Sequence, residues 1–362
     1  MEARAIDKDW ILENMERKTI SDFSKILLGK LQKVNPDTLI LSDYYRYYVK
    51  RVSWLSFEIQ KYSYILWLAL RDIDDYRNIV LVDYGGGAGL LSLLAKEIGI
   101  KTVVYDDIDN NTCRDAQVIG KGVGIPADYY NCGDIDDLID FLSANNLDCD
   151  VLVSYDVLEH IYDIESYLRK LKFLSKRSLR LVMCSGANQY NPYIKHSIVK
   201  LQNKLEYHGR IGEIVTREND CRKSFYESRI DIIRNNSPQL DNKTLALLAQ
   251  RTRGMRVDDI LNVISNHKTY NAIPVGIEHQ SNTCDPYSGN WEEHLMDPYN
   301  LKSILKAEGF QVKLLSGLWF SGNKIYRRVL ANILNIPIRI SKNNDRMLPI
   351  SPFYIIYAST NC

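Results

Sequence analysis

A short apolar run, followed by a cluster of glycines and then by a helical pattern, constrains this chain more than any other feature. Residues 79–82 are typical of a buried parallel strand, and a helix is expected to begin at Leu90. Glycines between the two permit unusual backbone dihedrals and let a ligand approach the backbone closely. The stretch therefore predicts the first unit of a doubly wound, Rossmann-like α/β fold with a ligand at the turn.

The spacing of these glycines and the acid before them separate two classes of ligand. Gly85, Gly87 and Gly89 lack the third small residue of the dinucleotide pattern, because Leu90 stands at that position. Asp83 would repel a pyrophosphate and attract a cationic ligand. S-adenosylmethionine carries a sulfonium and an ammonium group, so the turn favours this cofactor over NAD. A turn that needs glycines for packing alone is the alternative.

Acidic residues also follow the next three predicted strands. The second strand ends at Asp106 and Asp107, either of which could bind a ribose diol, with Asp107 slightly preferred. The third leads to Asp134, whose carboxylate could accept a hydrogen bond from an adenine amino group, and the fourth ends at Asp156. Because open α/β sheets bind ligands at the carboxyl ends of their strands, these acids are expected to share one site.

On these residues the chain resembles the class I S-adenosylmethionine-dependent methyltransferases. The matching segments are 82–89, the Asp106–Asp107 pair, Gly133–Asp134 and the D-V-L-E-H run at 156–160, about the middle third of the chain. The resemblance implies that Asp83 and the glycines hold the methionine end, that Asp107 or Asp106 holds the ribose, and that Asp134 with Ile135 holds the adenine. It also implies that the helix after the fourth strand borders the reacting methyl group. The predicted cofactor-binding residues are Asp83, Tyr84, Gly85, Gly86, Gly87, Gly89, Asp106, Asp107, Ile108, Gly133, Asp134, Ile135, Tyr155 and Asp156.

Periodicity along the rest of the chain predicts helices around a mostly parallel sheet whose last strand is antiparallel. Within the N-terminal part, one long helix capped by Ser42 is expected to run to Leu68. The predicted regions are an N-terminal helical cap (1–77), a cofactor-binding core (78–190), a helical insertion acting as a lid (191–270), and a substrate loop with the remaining core strands (271–362).

Composition excludes several function classes. Lys+Arg 46 against Asp+Glu 45 gives no basic surplus for binding nucleic acid. The seven cysteines form no C-x-x-C pair, which predicts free thiols in the cytoplasm and no metal site. No signal peptide or membrane-spanning run is expected. Segment 324–334 is a basic amphipathic helix that could rest on an anionic membrane surface, although packing on the domain is preferred.

Three residues are predicted to act in catalysis: His160, His279 and Glu293. Methyl transfer to a hydroxyl requires removal of a proton, and histidine is the natural base near neutral pH. His160 is the first choice, His279 and His294 are the alternatives, and Glu278 or Glu293 could orient a histidine or bind a sugar hydroxyl.

The sequence thus predicts an O-methyltransferase that acts on a small-molecule or glycan hydroxyl. The alternatives are methylation of a protein or natural-product side chain, a non-catalytic cofactor-binding scaffold and, more distantly, hydride transfer. Three arginines of the insertion, Arg251, Arg253 and Arg256, are read as surface charges. If they face the pocket, they predict an anionic acceptor.

Overall fold

A seven-stranded sheet forms the centre of the part of the chain that the computed structural model describes, residues 8–210, 221–270, 279–321 and 325–360. The strand order is β3-β2-β1-β4-β5-β7-β6, and β7 runs antiparallel to both of its neighbours. This confirms the predicted doubly wound sheet with an antiparallel last strand. The strands are β1 (Val80–Tyr84), β2 (Thr102–Asp107), β3 (Tyr129–Cys132), β4 (Val151–Tyr155), β5 (Arg180–Ser185), β6 (Gln311–Ser316) and β7 (Tyr354–Ser359).

Helices cover both faces of the sheet. None of those within the described ranges is both long and apolar enough to cross a membrane. The helices are α1 (Lys8–Lys33), α2 (Asp43–Lys50), α3 (Val52–Leu70), α4 (Leu90–Glu97), α5 (Asn110–Val123), α6 (Ile135–Ala144), α7 (Ile164–Lys170), α8 (Pro192–Tyr207), α9 (Phe225–Asn236), α10 (Asn242–Arg251), α11 (Val257–Tyr270), α12 (Pro298–Ala307) and α13 (Ile325–Ile340).

Successive residues of each strand point to opposite faces, so the sheet separates two hydrophobic cores. Leu81, Val103 and Tyr105 join the core beneath α1, α3, α4 and α5. Val82 and Val104 join the core beneath α6, α7 and α12. This alternation determines which face of the sheet each side chain at the end of a strand points to.

The helix predicted from Ser42 to Leu68 is two helices. Ser42 caps α2, as predicted, by accepting a bond from the Tyr45 amide at 3.4 Å. The chain leaves helical geometry at Arg51, with φ −90° and ψ 74°. The Arg51 guanidinium lies 5.3 Å from the ring centroids of Tyr47 and Trp54, which flank the break. Those two cation–π contacts favour the bend over a continuous helix.

The helical insertion has a small core of its own, formed by apolar residues of α9, α10 and α11. The fully buried Arg229 of α9 forms an ion pair with the buried Glu206 of α8. Thr283, in the loop that follows the insertion, donates to the same carboxylate at 2.7 Å. These contacts connect the insertion to the loop 279–297. Glu278, Lys324 and Cys362 lie outside the described residues.

Candidate active site

A cavity of about 380 Å³ opens at the carboxyl ends of β1, β2 and β4, where strand order reverses around β1 and β4. Its size is within the range of about 300–1,000 Å³ that is usual for small-molecule sites. The lining residues are Tyr84, Gly85, Asp106, Asp107, Ile108, Gly133, Asp134, Ile135, Asp156, Val157, His160, Ile161, Tyr162, Asp163, Ser166, Tyr167, Lys170, Arg256, Ser288, Gly289 and Asn290.

This cavity has two parts with different origins in the sequence. We call 84–85, 106–108 and 133–135 the cofactor half, because the sequence predicts cofactor contacts there. We call 160–162, Arg256 and 288–290 the acceptor half. Asp156 and Val157 lie at the end of β4, between the two.

The glycine turn supports the cofactor half with bonds to β2. The Gly87 amide donates to Asp107 Oδ2 at 3.1 Å, and the Tyr105 hydroxyl donates to the Gly87 carbonyl at 2.7 Å. A Cβ on Gly86 would lie 2.6 Å from the Tyr105 ring. Gly85 and Gly89 have positive φ angles of 68° and 73°, which favour glycine. Of the four glycines, Gly85 lines the cavity and the other three shape the turn behind it.

Asp83 does not line the cavity, which differs from the predicted direct contact with the cofactor. Its Oδ2 accepts bonds from the amide and the hydroxyl of Ser92, at 2.9 and 2.7 Å. Burial raises the pKa of this carboxyl to about 6, although the bonds from Ser92 oppose the shift. The structure gives Asp83 the role of joining β1 to the first turn of α4. Its neighbour Tyr84 points to the cavity side instead.

Both acids at the end of β2 line the cavity, so both remain candidates for the ribose. Asp106 is buried and accepts a bond from Asn131 Nδ2 at 2.6 Å. Burial raises the pKa of the Asp106 carboxyl, although the bond from Asn131 opposes the shift. Asp107 is also buried, and its carboxylate is joined to the glycine turn through Gly87.

The rest of the cofactor half consists of two apolar side chains and the N-terminus of helix α6. The Ile108 side chain is 58% exposed, Ile135 is buried, and both line the cavity. The pair offers apolar surface to a flat ring. Asp134 lines the cavity, but its Oδ1 accepts bonds from the Asp136 and Asp137 amides, at 2.8 and 3.2 Å, and thereby caps α6.

The end of β4 presents one of two predicted residues to the cavity. Asp156 lines it with a left-handed backbone (φ 55°), and its Oδ1 accepts a bond from the Gly186 amide at 3.0 Å. Tyr155 lies on the opposite face, with its ring 5.9 Å from that of Tyr62 and 5.6 Å from that of Phe353. Tyr155 therefore does not line the cavity, unlike the predicted contact with the cofactor, because strand alternation turns its side chain to the other face.

Glu159 is a fully buried acid just below the cavity. Its Oε1 accepts a hydrogen bond from the Gly186 amide at 3.0 Å, and the same amide also donates to Asp156 Oδ1. Its Oε2 has no hydrogen-bond partner among the described residues. Burial and the nearby carboxylates of Asp156 and Glu293 raise the pKa of Glu159 well above its usual value, which favours the protonated form.

His160 lines the acceptor half and is held there by the loop 279–297. Its Nδ1 lies 2.8 Å from the carbonyl oxygen of Trp291. The two segments are also joined through their backbones, by the Trp291 amide to the His160 carbonyl (3.3 Å) and the His294 amide to the Glu159 carbonyl (3.0 Å). A residue of the D-V-L-E-H run is thus oriented by a loop more than a hundred residues later in the chain.

The other predicted catalytic side chains do not line the cavity. His279 Nδ1 lies 2.8 Å from Ser281 Oγ. His294 stacks on the Trp291 ring at 4.1 Å, and burial lowers the pKa of its imidazole to about 4. Glu293 has a positive φ of 50°, and burial raises its pKa to about 7, although His160 opposes the shift. Glu293 therefore influences the electrostatics near His160 without lining the cavity.

Tyr162 organises the acceptor half, and the sequence did not single it out. Its hydroxyl donates to Asp259 Oδ2 at 2.5 Å and accepts a bond from the Arg256 amide at 3.0 Å. The Arg256 guanidinium lies 5.0 Å from the centre of the Tyr162 ring. Its only ion pairs with described residues are long, at 3.8 Å to Asp258 and 3.9 Å to Asp259. Arg256 is thus the one of the three arginines considered that lines the cavity.

A metal centre finds no support within the described ranges, where no group of three or more His, Cys, Asp or Glu side chains could hold an ion. The cations of the cavity are Lys170, which is paired with Asp136 at 2.5 Å, and Arg256.

Comparison with known proteins gives one family match and several partial similarities. Residues 82–182 match the family model described as a methyltransferase domain. A segment of 75 residues is 33% identical to an uncharacterized protein of Methanocaldococcus jannaschii, which covers 21% of this chain and 34% of that protein. The chain thus matches about a third of the length of this curated relative.

Solved structures with partial similarity include an S-adenosylmethionine-dependent methyltransferase from Mesorhizobium loti. It is 14% identical, with a TM-score of 0.37, over 82% of this chain and 97% of that one. Another is magnesium protoporphyrin IX methyltransferase from Synechocystis, at 18% identity and a TM-score of 0.28, over 50% of this chain and 78% of that one. Similarity at these scores says nothing about the acceptor.

The matched segment begins within β1 and ends within β5, so it contains the glycine turn, both β2 acids, Asp134 and the D-V-L-E-H run. These are the features on which the resemblance was predicted from the sequence. Residues 82–182 match a methyltransferase domain, which is consistent with the class I S-adenosylmethionine-dependent methyltransferase and the S-adenosylmethionine cofactor that the sequence predicts.

Proposed function

We propose that the protein transfers the methyl group of S-adenosylmethionine to a hydroxyl of a small molecule or glycan, with His160 as the general base. One observation carries the proposal: the hydrogen bond between His160 Nδ1 and the Trp291 carbonyl, at the wall of the acceptor half. This bond determines which ring nitrogen can take a proton.

The tautomer follows from the chemistry of the partner. A backbone carbonyl can only accept, so His160 Nδ1 must carry a hydrogen and donate it. In the neutral imidazole the lone pair is then on Nε2, the nitrogen that a base needs. The Trp291 carbonyl that holds the His160 ring is itself kept in place, because the Trp291 side chain is buried and stacks on the rings of Tyr162 and His294 at 5.9 and 4.1 Å. The neutral imidazole is therefore prepared to accept a proton at Nε2.

The residues of the cofactor half fit S-adenosylmethionine. Gly85 leaves room at the turn, since a Cβ there would lie 2.4 Å from Val157. The carboxylate of Asp107 or Asp106 would accept hydrogen bonds from the ribose hydroxyls, and the side chains of Ile108 and Ile135 would pack against the adenine. When bound, the cofactor supplies an electrophilic methyl group and a neutral leaving group. The protein's own contribution is alignment of the acceptor and removal of its proton.

The acceptor half favours a polar acceptor that carries negative charge. Ser288 and Asn290 offer hydrogen-bonding groups, and the Arg256 guanidinium is stacked on Tyr162 with long ion pairs only. The hydroxyls of an acidic or phosphorylated sugar could hydrogen-bond to Ser288 and Asn290, and its negative group could pair with Arg256. Asp156 and Asp163 also line the cavity and would repel an anion placed near β4, so the charged group belongs on the Arg256 side.

The test follows the methyl group from cofactor to product. The protein is incubated with methyl-labelled S-adenosylmethionine and a fractionated extract of small molecules and glycans, and the labelled product is identified by mass spectrometry and alkaline treatment. A methyl ether, stable to alkali, is the expected product. A labelled amine, an alkali-labile ester or a labelled protein band would overturn O-methylation. Cofactor binding without transfer to any fraction would favour the scaffold alternative.

A further inference from the structure

Helix α13 exposes six of its large apolar side chains. The six residues Tyr326, Val329, Leu330, Ile333, Ile336 and Ile340, here called the apolar stripe, are each between 54% and 79% exposed. With 3.6 residues per turn they lie within an arc of roughly 120°. An exposed apolar surface of this size usually marks an interaction site.

The opposite side of α13 attaches the helix to the protein. Ala331, Asn335 and Ile338 are buried there. Asn335 accepts a bond from the Trp319 amide at 2.8 Å and donates to the Trp319 carbonyl at 2.9 Å. Because these contacts already fix the helix, the apolar stripe is not required for its packing. It is left available for a partner outside the described fold.

The charges of α13 indicate what kind of partner fits. Its sequence contains Arg327, Arg328 and Arg339 and no acidic residue. On the helical wheel Arg327 lies beyond one edge of the apolar stripe, and Arg328 and Arg339 lie beyond the other. Arginines on both sides of an apolar face are typical of helices that lie in the interface of an anionic membrane, where the apolar face enters the lipid and the guanidinium groups reach the headgroups.

A second cavity, of about 360 Å³, opens beside the apolar stripe on the side of Arg328 and Arg339. Both arginines line it, and none of its lining residues is acidic. Asn332 and Asn335 of α13, Ser21 and Ser24 of α1, and Gln60 and Ser63 of α3 add hydroxyl and amide groups. This lining suits a phosphate with hydroxylated substituents.

We propose that α13 binds the surface of an anionic membrane, with the apolar stripe in the lipid and a phosphate-bearing lipid headgroup in the cavity at Arg328 and Arg339. A protein partner would need acidic groups on both flanks of an apolar groove, whereas an anionic lipid surface supplies such charges everywhere. The 16-residue helix is shorter than the about 20 residues that span a bilayer, which is compatible with lying in its plane. The proposal does not depend on the methylation chemistry.

Vesicle co-sedimentation of the full chain tests this directly. We expect binding to vesicles of phosphatidylcholine mixed with phosphatidylglycerol, little binding to phosphatidylcholine alone, and weakening by added salt. The double variant Leu330→Gln/Ile333→Gln should lose binding with an unchanged melting temperature, because both side chains are exposed. Phe173→Gln, which removes a 61% exposed aromatic elsewhere, is the control and should bind normally.

The headgroup cavity is tested by a matched pair of arginine variants. Arg327→Gln should weaken binding about fivefold, the effect of one interfacial charge. Arg328→Gln should weaken it clearly more, since that arginine also lines the cavity. Equal losses would overturn the headgroup site. Absence of binding to the anionic vesicles would overturn the membrane proposal, as would dimerisation of the free protein that Leu330→Gln abolishes.

Discussion

The two halves of the active-site cavity differ in how far apart their residues lie in the sequence. The cofactor half comes from three neighbouring strand ends, between Tyr84 and Ile135. The acceptor half joins His160 to a carbonyl at Trp291, and Tyr162 to Arg256 and Asp259. Local patterns can therefore reveal the first half, whereas the second exists only after the insertion and the loop 279–297 have packed on the core.

This difference separates the two functions physically. Bonds among Gly87, Tyr105 and Asp107 hold the cofactor half together without any residue of the acceptor half. Substitutions in the loop 279–297 can therefore alter the acceptor half without affecting the glycine turn. Substitutions in one half should therefore alter cofactor affinity, and substitutions in the other should alter transfer or acceptor affinity.

The largest expected effect on cofactor affinity is from Gly86→Ala. The added Cβ would lie 2.6 Å from the buried Tyr105 ring, which cannot move freely because its hydroxyl is bonded to Gly87. We expect S-adenosylhomocysteine to bind about 10²-fold more weakly, equivalent to roughly 3 kcal/mol of strain. Calorimetry measures this, with Gly29→Ala as the control because nothing lies within 4 Å of its Cβ position. Unchanged affinity in Gly86→Ala would contradict the role of the turn.

Asp107→Asn and Asp106→Asn distinguish the two ribose candidates. If the Asp107 carboxylate accepts hydrogen bonds from the ribose hydroxyls, Asp107→Asn should bind S-adenosylhomocysteine about 10–100-fold more weakly. This is the usual loss when hydrogen bonds to a charged group are weakened. Asp106→Asn should change the affinity less than about threefold, because an amide oxygen can still accept the bond from Asn131. The reverse ranking would assign the ribose to Asp106.

In the acceptor half, Arg256→Gln should raise KM for an anionic acceptor about tenfold and leave kcat and cofactor affinity unchanged. The control is Arg251→Gln, since Arg251 is exposed and does not line the cavity. Steady-state kinetics on the acceptor found by label transfer gives both constants. A KM that Arg256→Gln leaves unchanged would point to a neutral acceptor.

The smallest expected effect concerns stability and Glu293. Its pKa is raised to about 7 in the fold. Between the usual value near 4 and about 7 the unfolded chain releases a proton that the folded chain keeps, so stability falls as pH rises through this window. Glu293→Gln should thus be more stable than the wild type at pH 8, by on the order of 1 kcal/mol, with little difference at pH 4. Denaturant unfolding at both pH values checks this, and a larger gain at pH 4 would contradict it.

The sequence was sufficient for the mostly parallel sheet with its antiparallel last strand and for most residues that line the cofactor half, because apolar runs and glycine clusters act over a few residues. It placed Asp83 and Tyr155 in the cavity, where strand alternation excludes them. Alternation also puts Tyr84 and its β2 neighbour Asp106 on the cavity side, so the residue count in β1 and β4 already indicates this correction. The contact of His160 with Trp291 and the position of Arg256 result from tertiary packing, for which no short-range pattern exists.

The central claim is that cofactor binding and proton removal belong to separate halves of one cavity, with His160 as the base. It is tested most directly by measuring both properties in one preparation of His160→Ala. The account predicts S-adenosylhomocysteine affinity within about twofold of the wild type and a transfer rate lowered about 10²–10⁴-fold. An unchanged transfer rate, or loss of cofactor binding together with the rate, would contradict it.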